Sequence, residues 1–175
     1  MSKVSKHPAA ALPEPERAEY WNVVASLAVV DGSVTEDERR KIGRLGEVLE
    51  LSDDVRKTQL AALSKGRTSS AVTREAMDRI RDQPMLRTSL MMDAIVIAFS
   101  DGKLMPSESK QLGLLARGLG ISHEEVLKTA RLVERILFSR EGESDQALTA
   151  EFGESLAGAP SWLRRVSGMQ EAITP

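Results

Sequence analysis

Ala28-Val29-Val30-Asp31-Gly32-Ser33-Val34-Thr35-Glu36-Asp37-Glu38 has a counterpart further along the chain, Ala98-Phe99-Ser100-Asp101-Gly102-Lys103-Leu104-Met105-Pro106-Ser107-Glu108. The offset is constant (101 − 31 = 70 and 108 − 38 = 70). It persists outward: Gly43 matches Gly113, Leu45 matches Leu115, Leu49 matches Leu119, and Ser52 matches Ser122. A long period without a gap argues for a duplicated helical unit.

The residues before each Asp-Gly repeat with helical period. Tyr20, Val24, Leu27, Ala28 and Asp31 share one face, and so do Leu90, Ala94, Ile97, Ala98 and Asp101. Each Asp is therefore expected to end a buried helix on its core side. The helix dipole disfavours a carboxylate there, so each needs a compensating partner. Gly32 and Gly102 suit a left-handed cap. Thr35-x-x-Glu38 reads as a capping box opening the next helix. The second copy has Met105 in place of Thr35, and Met cannot cap. Pro106 suits the first helical position, and Glu108 is retained, so Glu38 and Glu108 are expected to reach back toward the Asp-Gly turn.

This pattern of an apolar helix, Asp-Gly, a Glu, and a second helix ending in Leu49-Glu50-Leu51-Ser52 or Leu119-Gly120-Ile121-Ser122 resembles the TerB-like (tellurite-resistance) superfamily. The resemblance covers about residues 18–135. It implies an all-helical fold, acidic residues near a cation site, and roles in tellurite and stress resistance, in co-chaperones related to DnaJ, or as fused modules of bacterial proteins. An acidic residue in the helix of Asp93 is common in the family, so Asp93 resembles a third pocket carboxylate.

Composition agrees with helices. Hydrophobic residues make up 41% of the 175, enough for a core, while aromatics are 3%, so a sheet is not expected. The net charge of −2 predicts no general attraction to nucleic acid. The absence of Cys excludes disulfides, thiolate metal sites and Cys nucleophiles. No apolar run approaches the roughly 18 residues that span a bilayer, and Met1–Pro15 lacks the apolar core of a secretory signal. A cytoplasmic location without membrane insertion is the expectation.

The expected fold is all-α: a compact bundle of two pseudo-symmetric three-helix repeats plus terminal helices. Residues 1–12 read as a flexible tail and 13–157 as the helical domain, with repeat one over about 18–82 and repeat two over about 85–157. Residues 158–175 form a C-terminal amphipathic segment. A short helix over 72–81 is stopped by Pro84, residues 145–156 look helical, and Ser161 can cap a last helix. Trp162, Leu163, Val166 and Met169, with Ile173, make one apolar stripe on that helix. Docking onto the parent domain is preferred. The alternative is binding to a protein partner, or a swapped helix in a homo-oligomer, with Gly158-Ala159-Pro160 as hinge.

Asp31, Glu38, Asp93, Asp101 and Glu108 are the candidate metal ligands. Cap hydrogen bonds alone explain the residue types at the turns. The sharper reading is a calcium or magnesium ion, which takes oxygen ligands but needs about six of them. An EF-hand is rejected because Leu27, Val29, Ile97 and Phe99 stand where its first acidic ligands would be. Asp93, inside the apolar run Leu90–Ile97, requires a partner, with Arg87 a candidate. His7 falls in the tail and His123 in a first turn, and neither has Glu-x-x-His spacing. With no nucleophile elbow or phosphate loop, the chain reads as non-enzymatic, with no catalytic residue.

Residues 56–87 hold eight cations (Arg56, Lys57, Lys65, Arg67, Arg74, Arg79, Arg81, Arg87) against three carboxylates, a balance of 8 − 3 = +5. A nucleic-acid-associated regulator using this stretch is the alternative function. It lacks interleaved aromatics for base stacking. The first reading is a helical interaction module in a bacterial stress, envelope or defence assembly, with a protein partner and a divalent cation.

Overall fold

A computed structural model describes residues 6–29, 33–99, 106–138 and 159–168. After a 3-10 turn at Pro8–Ala11, the helices are α1 (Glu14–Ala28), α2 (Glu36–Val48), α3 (Asp53–Ser64), α4 (Arg74–Asp82), α5 (Pro84–Ala98), α6 (Pro106–Gly118), α7 (His123–Phe138) and α8 (Ala159–Ser167). No strand occurs among the described residues, so the fold is all-α.

The sequence repeat is also a repeat of helix boundaries. α5 starts and ends seventy residues after α1 (84 − 14 and 98 − 28), and α6 does the same after α2 (106 − 36 and 118 − 48). α7 likewise starts seventy residues after α3 (123 − 53). The second helix of each unit stops in the same way. Glu50 has φ 55° and Gly120 has φ 67°. The Leu51 N–H then reaches back to Gly46 O at 3.1 Å, and the Ile121 N–H to Ala116 O at 2.9 Å. These are Schellman endings, in which a left-handed residue lets the chain satisfy the last carbonyls.

α5 is the axis of the bundle. It is apolar on all sides, the signature of a helix surrounded by others. Every residue from Ser89 to Ile97 is buried, and α5 packs against α1, α2, α4, α6, α7 and α8. α1 is its counterpart in the first unit, with Tyr20–Ala25 buried.

Three details differ from the sequence reading. α4 opens at Arg74, because the Thr73 hydroxyl accepts the Ala76 N–H at 3.1 Å and so fixes the cap there. Pro84 follows α4 by one residue and opens α5, since a ring without N–H suits the first turn. α8 starts at Ala159, with Pro160 inside its first turn rather than breaking the chain. The helix expected over 145–156 lies outside the described residues.

The segment expected as a flexible tail is part of the fold over residues 6–12. His7 and Ala9 are buried, and the 3-10 turn packs on α1 and α5. The physical reason is a polar anchor in the core, described below.

Candidate functional site

The two repeats meet at a small cavity of about 20 Å³, room for a single water or ion. Leu27, Ala28, Ile97 and Ala98, the C-terminal turns of α1 and α5, line it. Glu38 and Glu108, each in the first turn of α2 or α6, enter it from both units. Ala28 with Ala98 and Glu38 with Glu108 are seventy residues apart, so the cavity lies where the repeats face each other.

Glu38 is 8% exposed and already engaged. Its Oε2 accepts the Thr35 N–H at 2.8 Å and the Thr35 hydroxyl at 2.9 Å, while its own N–H goes to Thr35 Oγ1 at 3.2 Å. This is the reciprocal capping box expected from the spacing. One turn along α2, the buried Lys41 donates to Val96 O in α5 at 3.3 Å and pairs with Asp37 at 3.3 Å. An ammonium at the C-terminal end of α5 complements that helix's dipole. The matching residue in repeat two is Gln111, which lines the cavity. The cavity thus holds two carboxylates and one amide among the described residues. Asp31 and Asp101 lie outside them. No group of three or more His, Asp or Glu suited to a metal occurs among the described residues.

Asp93 does not line this cavity, and Arg87 is not its hydrogen-bond partner. It lies fully buried in a second polar cluster. Tyr20 Oη donates to Asp93 Oδ2 at 2.6 Å, and His7 Nε2 is 2.9 Å from the same oxygen. The Ala9 N–H donates to His7 Nδ1 at 3.0 Å. That bond leaves Nδ1 as acceptor and puts the ring proton on Nε2, where it is donated to Asp93. Ser89 Oγ sits 3.1 Å from Tyr20 Oη. Burial raises the Tyr20 pKa well above 10, and the Asp93 charge and hydrogen bond raise it further. Sequence reasoning required a partner for Asp93 but missed His7, because a His beside Pro8 in a short polar N-terminus carries no periodic signal.

The C-terminal stripe is inside the domain. Trp162, Leu163 and Val166 are 3%, 0% and 0% exposed, with α8 packed on α2, α5 and α7. Met169 lies outside the described residues. The Trp162 ring meets the His7 ring edge-on at 5.0 Å between centroids. Arg44 Nη1 reaches Ser167 O at 3.4 Å, a cation at the end of α8.

Half of the eight cations of the basic stretch pair with carboxylates, Arg74 with Asp78 at 4.0 Å among them. Arg56 pairs with Glu47 and Asp53, Arg79 with Glu16 and Glu19, and Arg81 with Asp78 and Asp82. No helix among the described residues is long and apolar enough to cross a membrane.

Comparison with known proteins agrees with this architecture. The chain is similar to co-chaperone protein DjlA of Aliivibrio fischeri, at 28% identity over 72% of this chain and 47% of that protein. It is also similar to DjlA of Vibrio vulnificus (26%, over 69% of this chain and 44% of the relative) and of Photobacterium profundum (23%, over 81% and 54%). The chain spans about half the length of these curated relatives. No solved structure matches it significantly. The family model of tellurite resistance protein TerB matches residues 17–131, from the first turn of α1 into α7 and across both Asp-Gly units, so the chain belongs to the TerB family.

Proposed function

We propose that this protein is a non-enzymatic helical interaction module that docks a protein partner within a bacterial stress-response assembly. One asymmetry between the repeats carries the reading. Leu114 on α6 is 49% exposed and Leu127 on α7 is 45% exposed. The matching positions of repeat one are Arg44 and Lys57. Repeat two therefore presents Leu114 and Leu127 to solvent, where repeat one has Arg44, half-buried against the end of α8, and the exposed Lys57. Lys110 and Arg117 flank Leu114 at helical spacing, and Lys128 and Arg131 follow Leu127, all exposed. An acidic, amphipathic partner segment fits such a surface. The similarity to co-chaperones supports the same class of role.

The test is affinity capture from bacterial lysate with the wild type and with Leu114→Asp and Leu127→Asp, which remove exposed apolar surface without touching the core. A protein held by the wild type and lost by variants of unchanged melting temperature is expected. A capture profile identical in all three removes the reading.

A second reading places a divalent cation between Glu38 and Glu108, joined by Asp31 and Asp101. Convergence of two repeat-related carboxylates on one cavity favours it. Against it, Glu38 Oε2 is occupied by Thr35, and calcium asks for about six oxygens or more. We expect a melting temperature indifferent to millimolar calcium, magnesium or chelator. A cation-dependent rise that disappears in Glu108→Gln would establish the site instead.

A further inference from the structure

We propose that residues 6–12 act as a latch on α8, so that the two ends of the described domain open and close together. His7 joins them. One side of its ring bonds Asp93 of α5, and its edge packs on Trp162 of α8. The segment has little else to hold it. Beyond His7 it has one 3-10 turn seated on α1 and α5, with Ala9 buried and Leu12 half-buried against the core. The Lys6–Glu50 pair at 3.1 Å is solvent-exposed and adds little. A segment held by so few buried contacts is among the first to open.

The junction is also incompletely satisfied. Asp93 Oδ1 and Trp162 Nε1 are both buried with no hydrogen-bond partner among the described residues. Both belong to direct neighbours of His7. A buried acceptor and a buried donor left unpaired weaken the closed state relative to the open one, where water reaches both. One core cluster takes in α1, α5, Ala9 and the α8 residues Trp162, Leu163 and Val166, so the two unpaired groups mark this junction as the place where opening begins. When His7 leaves, Trp162 loses its ring partner and α8 loses one wall of its seat. What opening uncovers is the apolar groove on α2, α5 and α7 that α8 fills.

Hydrogen–deuterium exchange of the full chain tests the coupling. In His7→Ala, amides of both 6–12 and 161–168 are expected to exchange about tenfold faster or more, as one sub-global unit. In Trp162→Ala, residues 6–12 are expected to loosen although the substitution is over 150 positions away in sequence. His7→Gln keeps a side-chain donor for Asp93 and is expected to restore part of the protection. Leu63→Ala is the control: it creates a cavity in α3, which packs on α1 and α2, and should leave both ends no more mobile than the rest. Unchanged exchange of α8 in His7→Ala overturns the latch. So does an equal rise across α3 and α8, because that is global destabilisation.

Discussion

Repeat one and repeat two start their three helices at matched positions, yet at four matched positions they satisfy the backbone or the core differently. Val23 in α1 corresponds to Asp93 in α5. Glu50 corresponds to Gly120 at the left-handed end of the second helix. Lys41, which holds the end of α5, corresponds to Gln111. The Ser52 and Ser122 N–H groups are both met by a carboxylate, but Ser52 receives Glu14 from α1 whereas Ser122 receives Glu125 from its own first turn. Backbone geometry is therefore preserved across the duplication, while the polar groups that satisfy it are free to come from new places. What must be kept is a partner for each buried donor or acceptor, not the identity of that partner.

The sharpest way to break this comparison is to import repeat one's residue into repeat two. Asp93→Val matches Val23 in chemistry but strands the His7 Nε2–H, and Tyr20 Oη loses its strongest acceptor. Leaving buried groups unpaired makes the expected cost about 3 kcal/mol, read by urea unfolding. The triple variant His7→Leu, Tyr20→Phe, Asp93→Val removes the donors that Asp93→Val strands but takes the acceptor from the buried Ala9 N–H, so it should recover part of that loss. A single Asp93→Val variant as stable as the wild type would mean that the cluster holds nothing.

Next come the left-handed positions. Gly168, at φ 81°, ends α8, and a Cβ there would run into the Arg44 guanidinium. Gly120, at φ 67°, has open space around it. Ala at Gly120 should cost about 1 kcal/mol from backbone strain alone. Ala at Gly168 should cost more, about 2 kcal/mol, since Arg44 must also leave Ser167. Glu50→Gly, which gives repeat one the residue of repeat two, should gain about 0.5 kcal/mol after loss of the exposed Lys6 pair. Thermal melts should place Gly168→Ala lowest, then Gly120→Ala, then the wild type, with Glu50→Gly highest. A Gly120→Ala change that costs more than Gly168→Ala would show that space, not the Arg44 contact, is misjudged.

These positions also show what could be read from the chain before its coordinates. The duplication, the helix starts at Pro106 and near Ser52 and Ser122, and the Thr35–Glu38 box are local, and local chemistry is written in neighbouring residues. Burial of Asp93 was readable from its apolar run. Its partners were not, because His7 and Tyr20 are 86 and 73 residues away and no period connects them. For the same reason the N-terminus read as a tail: nothing in Lys6-His7-Pro8 signals a seat between α1, α5 and α8. Lys41 was hidden differently. It ends a charged run, Glu36 to Lys41, that looks wholly solvated, and only the packing of α2 on α5 turns it inward. At the candidate site, Glu38 and Glu108 were legible as repeat-related carboxylates, whereas their convergence on one cavity, and the placing of Asp93 elsewhere, depend on the helix packing around α5.

The smallest expected effect lies at the two serine N–H groups. Ser52 N–H donates to Glu14 Oε1 at 2.7 Å, and Ser122 N–H to Glu125 Oε2 at 2.8 Å. Each bond favours the ionised carboxylate, so each pKa is held below its ordinary 4.5. With a folded value below the unfolded one, the stabilisation is complete above about 4.5 and is lost as pH falls through the lower folded value. Both carboxylates are exposed, which keeps the effect small. Their topologies differ, and that decides the outcome. Glu125 closes a box within α7, so its protonation frays one helix start. Glu14 ties α3 to the first turn of α1 across 38 residues, so its protonation loosens a contact between helices. In hydrogen exchange below pH 4, amides 52–55 should open together with the first described turn of α1, whereas 122–125 should open alone. Glu14→Gln, which keeps an acceptor but not the titration, should remove the acid sensitivity of the first pair and leave the second untouched. If Glu14→Gln leaves the acid opening of residues 52–55 as it is in the wild type, the bond between the helices is not what holds the start of α3.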